Sequence, residues 1–313
     1  MNNREDSDMS ECIQFTYTSV TGQELEARKW VPDGKIKGII QLVHGMAEHI
    51  DRYHEVGNAL AGAGYLAVGH TYLGHGGKAP IHGYFGDDKG WQYLIDDVDG
   101  LRKQITAEYP DLPYVVLGHS MGSFIVRCYL TQYGERLAAS VLSGTGYYSR
   151  LLVTAGLAVA NLVCLSGGKR KPSPLINQIG FATANKPFEP ARTPFDWLCR
   201  SEEKVDEYMA DPNCGFLFTG SGYREMFRGL KRLTHTADLA RIPAELPVLF
   251  ISGGNDPIGD MGKGVRKVAA DFEKVGMKNV TVKLYPGARH EMFNEINREE
   301  AYADLIAWMD RTL

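Results

Sequence analysis

The feature that most constrains this chain is a series of short apolar runs, each bounded by turn residues, at 38–43, 65–69, 114–118, 139–143, 247–252 and 280–285. Several are apolar nearly throughout instead of alternating, which is what strands buried on both faces of a parallel sheet require. Two further runs, 13–18 and 24–30, flank Thr21-Gly22 and read as an opening hairpin.

Helical patterns lie between the runs. Residues 93–109 place Leu94, Val98, Leu101 and Ile105 on one face, carry Asp96 and Asp97 near the expected start, and stop at Pro110. Residues 121–133 form a second helix, with Gly134 expected as a left-handed cap. A third runs over about 299–313 with Tyr302, Leu305 and Met309 inward. Strand alternating with helix predicts an α/β sheet with helices on both faces. The rhythm breaks over 146–234, where short helical pieces such as 201–210 and 223–233 occur and no strand is evident. The expected organisation is a core of 1–145 and 235–313, with 146–234 inserted as a helical cap over the carboxyl ends of the strands.

Composition narrows the class. With 313 residues, 44% hydrophobic and 23% charged, the chain can bury one large core plus a subsidiary element. A net charge of -4 and no basic block longer than Lys169-Arg170-Lys171 argue against nucleic acid as a partner. The five cysteines are odd in number and scattered, so they read as free thiols of a reducing cytoplasm. The polar, acidic amino terminus lacks the order of a signal peptide. The apolar run 151–165 counts 15 residues, includes Thr154 and Asn161, and falls short of the roughly 20 that cross a bilayer. It reads either as a packed helix or as one that faces lipid or an acyl chain.

Chemistry enters at Gly118-His119-Ser120-Met121-Gly122. This Gly-x-Ser-x-Gly follows the run at 114–117 directly and opens an amphipathic helix, the setting that pushes a serine into a strained, exposed turn. Gly118 and Gly122 suit positions where side chains would strike the neighbouring elements. A serine hydroxyl needs an acid and then a histidine to become a nucleophile. Asp256 follows the run at 247–252, and His290 follows the run at 280–285, so both are expected on the same rim as Ser120. Asp260 is the competing acid, expected in the first turn of the next helix. His119 is expected to pack. The backbone N–H groups of Met121 and of Met46, in the loop His44-Gly45-Met46-Ala47-Glu48-His49, are the expected donors to an oxyanion.

That loop with Arg52-Tyr53, the segment Leu73-Gly74-His75-Gly76, the serine turn, Asn255-Asp256-Pro257 and Gly287-Ala288-Arg289-His290-Glu291 together resemble the monoacylglycerol lipase and lysophospholipase branch of the α/β hydrolases, of the serine aminopeptidase S33 type. The resemblance implies an α/β-hydrolase fold with a mostly parallel eight-stranded sheet. It implies hydrolysis of a small, lipid-like acyl ester through an acyl-enzyme, without metal or cofactor. Two departures stand out: Ala47 replaces a usual Gly, and His70-Thr71-Tyr72 replaces a segment that usually carries Asp.

Leu151, Leu152, Leu157, Leu162, Phe181, Phe188, Phe195, Phe216 and Phe218 of the expected cap could receive an acyl chain or form the cap's own core. Weak peripheral contact of 151–165 with a membrane follows from the first alternative. A short-chain carboxylesterase or thioesterase would use the same triad, and a ligand receptor could keep the same shape. An epoxide hydrolase or dehalogenase would carry Asp at position 120. The oligomeric state is not encoded in these patterns.

Overall fold

In a computed structural model, described over residues 11–313, the apolar runs become strands; the polar stretch 1–10, expected not to be a leader, lies outside the described residues. β1 (Glu11–Thr18) and β2 (Glu24–Val31) pair antiparallel about a turn in which Gly22 adopts φ +82°. Then come β3 (Gly38–Val43), α1 (His54–Gly62), β4 (Tyr65–His70), α2 (Gly90–Glu108), β5 (Tyr114–His119), α3 (Met121–Tyr133) and β6 (Ala139–Ser143). The helices α4 (Arg150–Val163), α5 (Pro174–Phe181), α6 (Glu202–Ala210), α7 (Gly220–Leu233) and α8 (Thr236–Leu239) follow with no strand among them. β7 (Val248–Gly253), α9 (Lys263–Lys274), β8 (Val280–Tyr285) and α10 (Arg298–Thr312) complete the chain.

The eight strands form one sheet in the order β1-β2-β4-β3-β5-β6-β7-β8, antiparallel at the β1/β2 and β2/β4 pairings and parallel across the rest. Every residue of β3 to β7 is buried. Because side chains alternate across a strand, Ile39, Val116, Leu142 and Phe250 join the layer of α2, α3 and α9. Their neighbours Ile40, Val115, Val141 and Leu249 join α1 and α10 on the other face. Each such side chain contributes about 1.5–3 kcal/mol by leaving water, so a slip of register by one residue would exchange the two layers. β8 pairs on one side only and keeps half-exposed residues, unlike the fully covered strands.

Three local expectations are corrected. α2 begins at Gly90, so Asp97 lies beyond its first turn; there it is buried and accepts from Ser19 Oγ (2.8 Å) and Val20 N (2.7 Å), fastening the hairpin. Gly134 is not left-handed: it has φ -56° and starts a 3-10 turn. Its missing side chain matters for space, since a Cβ would lie 2.7 Å from Pro243 Cδ. The apolar run is also longer than the 15 residues counted in the sequence. α4 continues through a turn at Cys164–Gly168, and the 19-residue segment Arg150–Gly168 is long and apolar enough to cross a membrane. Its buried residues are Val153, Ala160 and Cys164, while Leu151 and Leu165 are more than four-fifths exposed. α4 packs on α7, where Gly156 admits the Phe227 ring: a Cβ would sit 2.6 Å from Phe227 Cε1.

Candidate active site

Ser120 stands between β5 and α3 with φ 51° and ψ -120°, a backbone conformation that costs a non-glycine residue of order 1–3 kcal/mol. The surroundings enforce it. Ser120 N donates to Ser143 O of β6 (2.9 Å), and Ser123 Oγ donates to Ser120 O (2.6 Å). A Cβ on Gly122 would fall 2.1 Å from Val43 O, and one on Gly118 2.5 Å from Gly122 O, so both glycines are demanded by close backbone approach.

Asp256 and His290 are brought together. His290 Nδ1 lies 3.0 Å from Asp256 Oδ2, with both side chains buried. Asp256 also accepts from Ile258 N (2.8 Å) and Ser252 Oγ (3.3 Å), which fixes the carboxylate on the imidazole. Their turns are joined by backbone bonds, Gly254 N to Tyr285 O (2.8 Å) and Asn255 N to Ala288 O (2.9 Å). Burial pushes His290 down and the Asp256 carboxylate pushes it up; the net result is a pKa above the ordinary 6.5. Asp260 is exposed, has φ 49° and precedes α9, so it lies outside the first turn where it was expected. His119 packs as expected, its ring 4.9 Å from that of His290.

Ser120 and His290 line the same cavity, of about 520 Å³. Among the described residues no hydrogen bond joins the two side chains; catalytic bonds of this kind often tighten only when substrate is bound.

The loop after β3 reaches the cavity with Gly45, Met46, Ala47 and Glu48. Gly45 is needed there, because a Cβ would lie 2.7 Å from Glu48 Oε1 and 3.2 Å from Ser120 Cβ. Met121, the first residue of α3, has an N–H without an acceptor inside its helix. Ala47 adopts φ 53°, which is the physical reason a Gly suits this position, and its carbonyl accepts from Gly215 N (3.0 Å) and Tyr208 OH (3.1 Å). His44 is buried beneath: Nδ1 donates to Gly45 O (2.8 Å), Nε2 accepts from Tyr72 N (3.1 Å), and burial keeps it neutral. The unusual His70 is buried as well, with neither ring nitrogen bonded, and burial holds its pKa at about 3.

Nothing local in the sequence marks the charge cluster beside this loop. Arg52 donates from Nη1 and Nη2 to the two carboxylate oxygens of Glu291, each at 2.7 Å, and also to Glu48. Glu48 in turn accepts from Gly45 N and from Tyr53 OH (2.9 Å). One buried guanidinium therefore ties the loop of Met46 to the residue next to His290. Burial works against the Arg52 charge, but Glu291 and Glu48 together hold its pKa well above the usual value.

The helical insertion was also silent in the sequence as to which residues meet the site. Phe181, Phe195 and Phe216 line the cavity, whereas Phe218 is fully buried against Phe85 and Tyr223. Leu151, Leu152 and Leu162 are exposed. Trp197 packs its ring 5.1 Å from His290, and Glu291 N donates to Leu198 O (2.7 Å). Among the described residues, one group could hold a metal ion: His49, Asp211 and Cys214, with ligand atoms within 4.8 Å of one another. Here His49 Nε2 and Asp211 Oδ2 bond to each other at 2.7 Å, joining the end of the loop to the insertion.

A strained serine after the central strand, an acid and a histidine after β7 and β8, and helices on both faces of a mostly parallel sheet are the architecture of the α/β hydrolases. Residues 34–297 match the family described as serine aminopeptidase, S33, and the chain belongs to that family. It is similar to the monoacylglycerol lipase of Mycolicibacterium smegmatis, 28% identical over 297 residues, covering 95% of this chain and 96% of the relative. The monoglyceride lipase of Mus musculus is 30% identical over 277 residues, covering 88% of this chain and 82% of the relative. A thermostable carboxyl esterase from Bacillus coagulans, solved in complex with glycerol, matches with a TM-score of 0.89 at 28% identity, over 96% of this chain and 98% of that one.

Proposed function

We propose that the chain is a serine esterase that cleaves lipid-like carboxylic esters, with monoacylglycerols or lysophospholipids as the substrate class. The observation that carries this reading is the shared cavity, which is lined by Ser120 and His290 and also by Phe181, Phe195 and Phe216 of the insertion, side chains against which an acyl chain would lie. The names of the relatives point the same way.

In this reading Ser120 Oγ attacks the ester carbonyl carbon while His290 Nε2 takes its proton, and Asp256 stabilises the imidazolium through Nδ1. The N–H groups of Met46 and Met121 receive the oxyanion. Collapse of the tetrahedral intermediate expels the alcohol, which leaves with the proton from His290. Water, deprotonated by the same nitrogen, then attacks the acyl-enzyme; the carboxylic acid is released and Ser120 regains its proton. Residues 146–234 act as the cap. The exposed Leu151, Leu152, Leu162 and Leu165, with Leu175 and Ile179 of α5, would meet a lipid surface from which substrate is drawn.

Two measurements test this. A fluorophosphonate should label the purified protein and fail to label Ser120→Ala, whose kcat should fall by about 10⁴-fold or more. Across an ester series the rate should climb well past about four acyl carbons, since each buried methylene contributes about 0.8 kcal/mol. A flat or falling profile would replace the lipid reading with a short-chain carboxylesterase. Labelling and turnover unchanged in Ser120→Ala would remove the enzyme reading for this serine.

A further inference from the structure

Arg127 is a buried cation with no carboxylate bonded to it. It projects from α3 and is 5% exposed. Nη1 donates to Gly146 O (3.0 Å) and lies 3.5 Å from Thr145 Oγ1, while the buried Nε has no acceptor. A guanidinium carries five N–H donors, and a buried charge ordinarily has a counter-ion. Other arginines of low exposure have carboxylates beside them: Arg52 is held by Glu48 and Glu291, Arg102 by Asp99 at 3.0 Å, and Arg224, whose Nε also lacks an acceptor, lies 3.5 Å from Asp88. Burial pushes the Arg127 pKa down to about 10, which leaves it charged at neutral pH.

Arg127 lines a cavity of about 180 Å³ that touches neither Ser120 nor His290. Arg150 and Lys274 add positive charge at its rim; Asp271, the carboxylate on its wall, favours the Arg127 charge through space but forms no direct ion pair with it among the described residues. The remaining wall is mixed: Leu230, Leu233 and Leu239 form an apolar side, and Tyr147, Tyr148, Thr234 and Thr236 stand among the polar groups. Its position is notable. Gly146, Tyr147, Tyr148 and Arg150 on one side and Thr234, Thr236 and Leu239 on the other, which also line it, belong to the stretches by which the helical insertion leaves and rejoins the sheet. Gly146 abuts the turn of Asp256, where a Cβ would lie 2.7 Å from Ile258 O.

We infer that this cavity is a binding site for a small alkyl carboxylate, its carboxylate paired with Arg127 and its alkyl part against Leu230, Leu233 and Leu239. A monoanion supplies the directly bonded counter-ion that Arg127 lacks and covers the three leucines. Phosphate, carrying more charge and no apolar part, would be repelled more strongly by Asp271 than a monoanion and would leave the leucines uncovered. Occupied, the site joins α3 to both connections of the insertion, so the ligand stabilises the folded chain by mass action.

The test uses the full chain and butyrate, with inorganic phosphate and chloride at matched ionic strength, read by calorimetric titration and by thermal unfolding. Butyrate should bind saturably and raise Tm more than phosphate does, and Arg127→Met should abolish both effects. That variant replaces the buried charge by an apolar chain of similar reach, at the loss of the hydrogen bond to Gly146 O, which costs some stability. The exposed Arg150→Gln and Lys274→Gln give an independent reading that does not endanger folding, each weakening butyrate about twofold to fivefold. Butyrate binding undiminished in Arg127→Met, Arg150→Gln and Lys274→Gln, or no saturable binding, would overturn the assignment. Phosphate binding more tightly than butyrate would also overturn it.

Discussion

Arg52 grips Glu291 with two parallel hydrogen bonds of 2.7 Å while its Nη1 also holds Glu48, so the loop before α1 and the turn bearing His290 share a single cation. Removing that cation leaves two carboxylates buried and unpaired. Arg52→Met is expected to lower stability by about 3–5 kcal/mol in denaturant unfolding. Arg52→Lys, which keeps the charge but cannot make the parallel pair, should lose less stability. Its kcat should fall more than its KM rises, because the distance between the oxyanion donors and His290 is what the pair maintains. Equal stability of Arg52→Met and the parent chain would refute the clasp.

The pH profile follows from the raised pKa of His290. A histidine base works only when neutral, so kcat/KM should rise with pH through a midpoint above 6.5. Asp256→Asn takes away the charge that raises the pKa and leaves burial, so the midpoint should drop below that of the parent while kcat falls about 10⁴-fold. Folding carries the opposite sign. The His290–Asp256 pair stabilises the fold fully below the unfolded histidine pKa, and the contribution fades as pH rises through the folded value. Urea midpoints of the parent and Asp256→Asn across this range check the sign.

Two glycines of similar appearance in the sequence should respond in opposite ways. At Gly122 an added methyl would meet Val43 O at 2.1 Å and His44 O at 2.4 Å, both backbone atoms. Gly122→Ala should therefore destabilise by about 1–3 kcal/mol or more and depress activity, since β3 leads directly into the Met46 loop. At Gly62, near the end of α1, nothing lies within 4 Å of the built Cβ. Gly62→Ala should gain about 0.4–1 kcal/mol, with activity unchanged. Denaturant midpoints and initial rates of the two variants decide.

The central strands were legible because each carries its own reason to be buried: β3, β6 and β8 begin and end where the apolar runs do. The serine turn was legible for a local reason too, as was the pairing of Asp256 with His290 from the order of elements. What escaped depends on residues far apart in the chain. Arg52 and Glu291 are separated by 239 positions, and nothing local to either marks the other as its partner. Trp197 reaches His290 only because the insertion folds back on the sheet. Gly134 looked like a cap, yet its smallness answers to Pro243, more than a hundred positions away. The apolar run 151–165 gave its composition but not its exposure, since period alone does not say whether a helix will find a cover.

The attachment of 196–200 to the histidine turn has a kinetic consequence. Asp196 O and Cys199 O accept from Arg289, Leu198 O accepts from Glu291 N, and Arg200 Nε bonds Glu295 Oε2 at 2.9 Å. Breaking such shielded bonds costs about 1–3 kcal/mol apiece, so this stretch is moored more firmly than α5, whose buried residue is Ile176. A doorway for bulky esters is therefore expected beside α5 and not at Trp197, whose ring the mooring keeps against the imidazole.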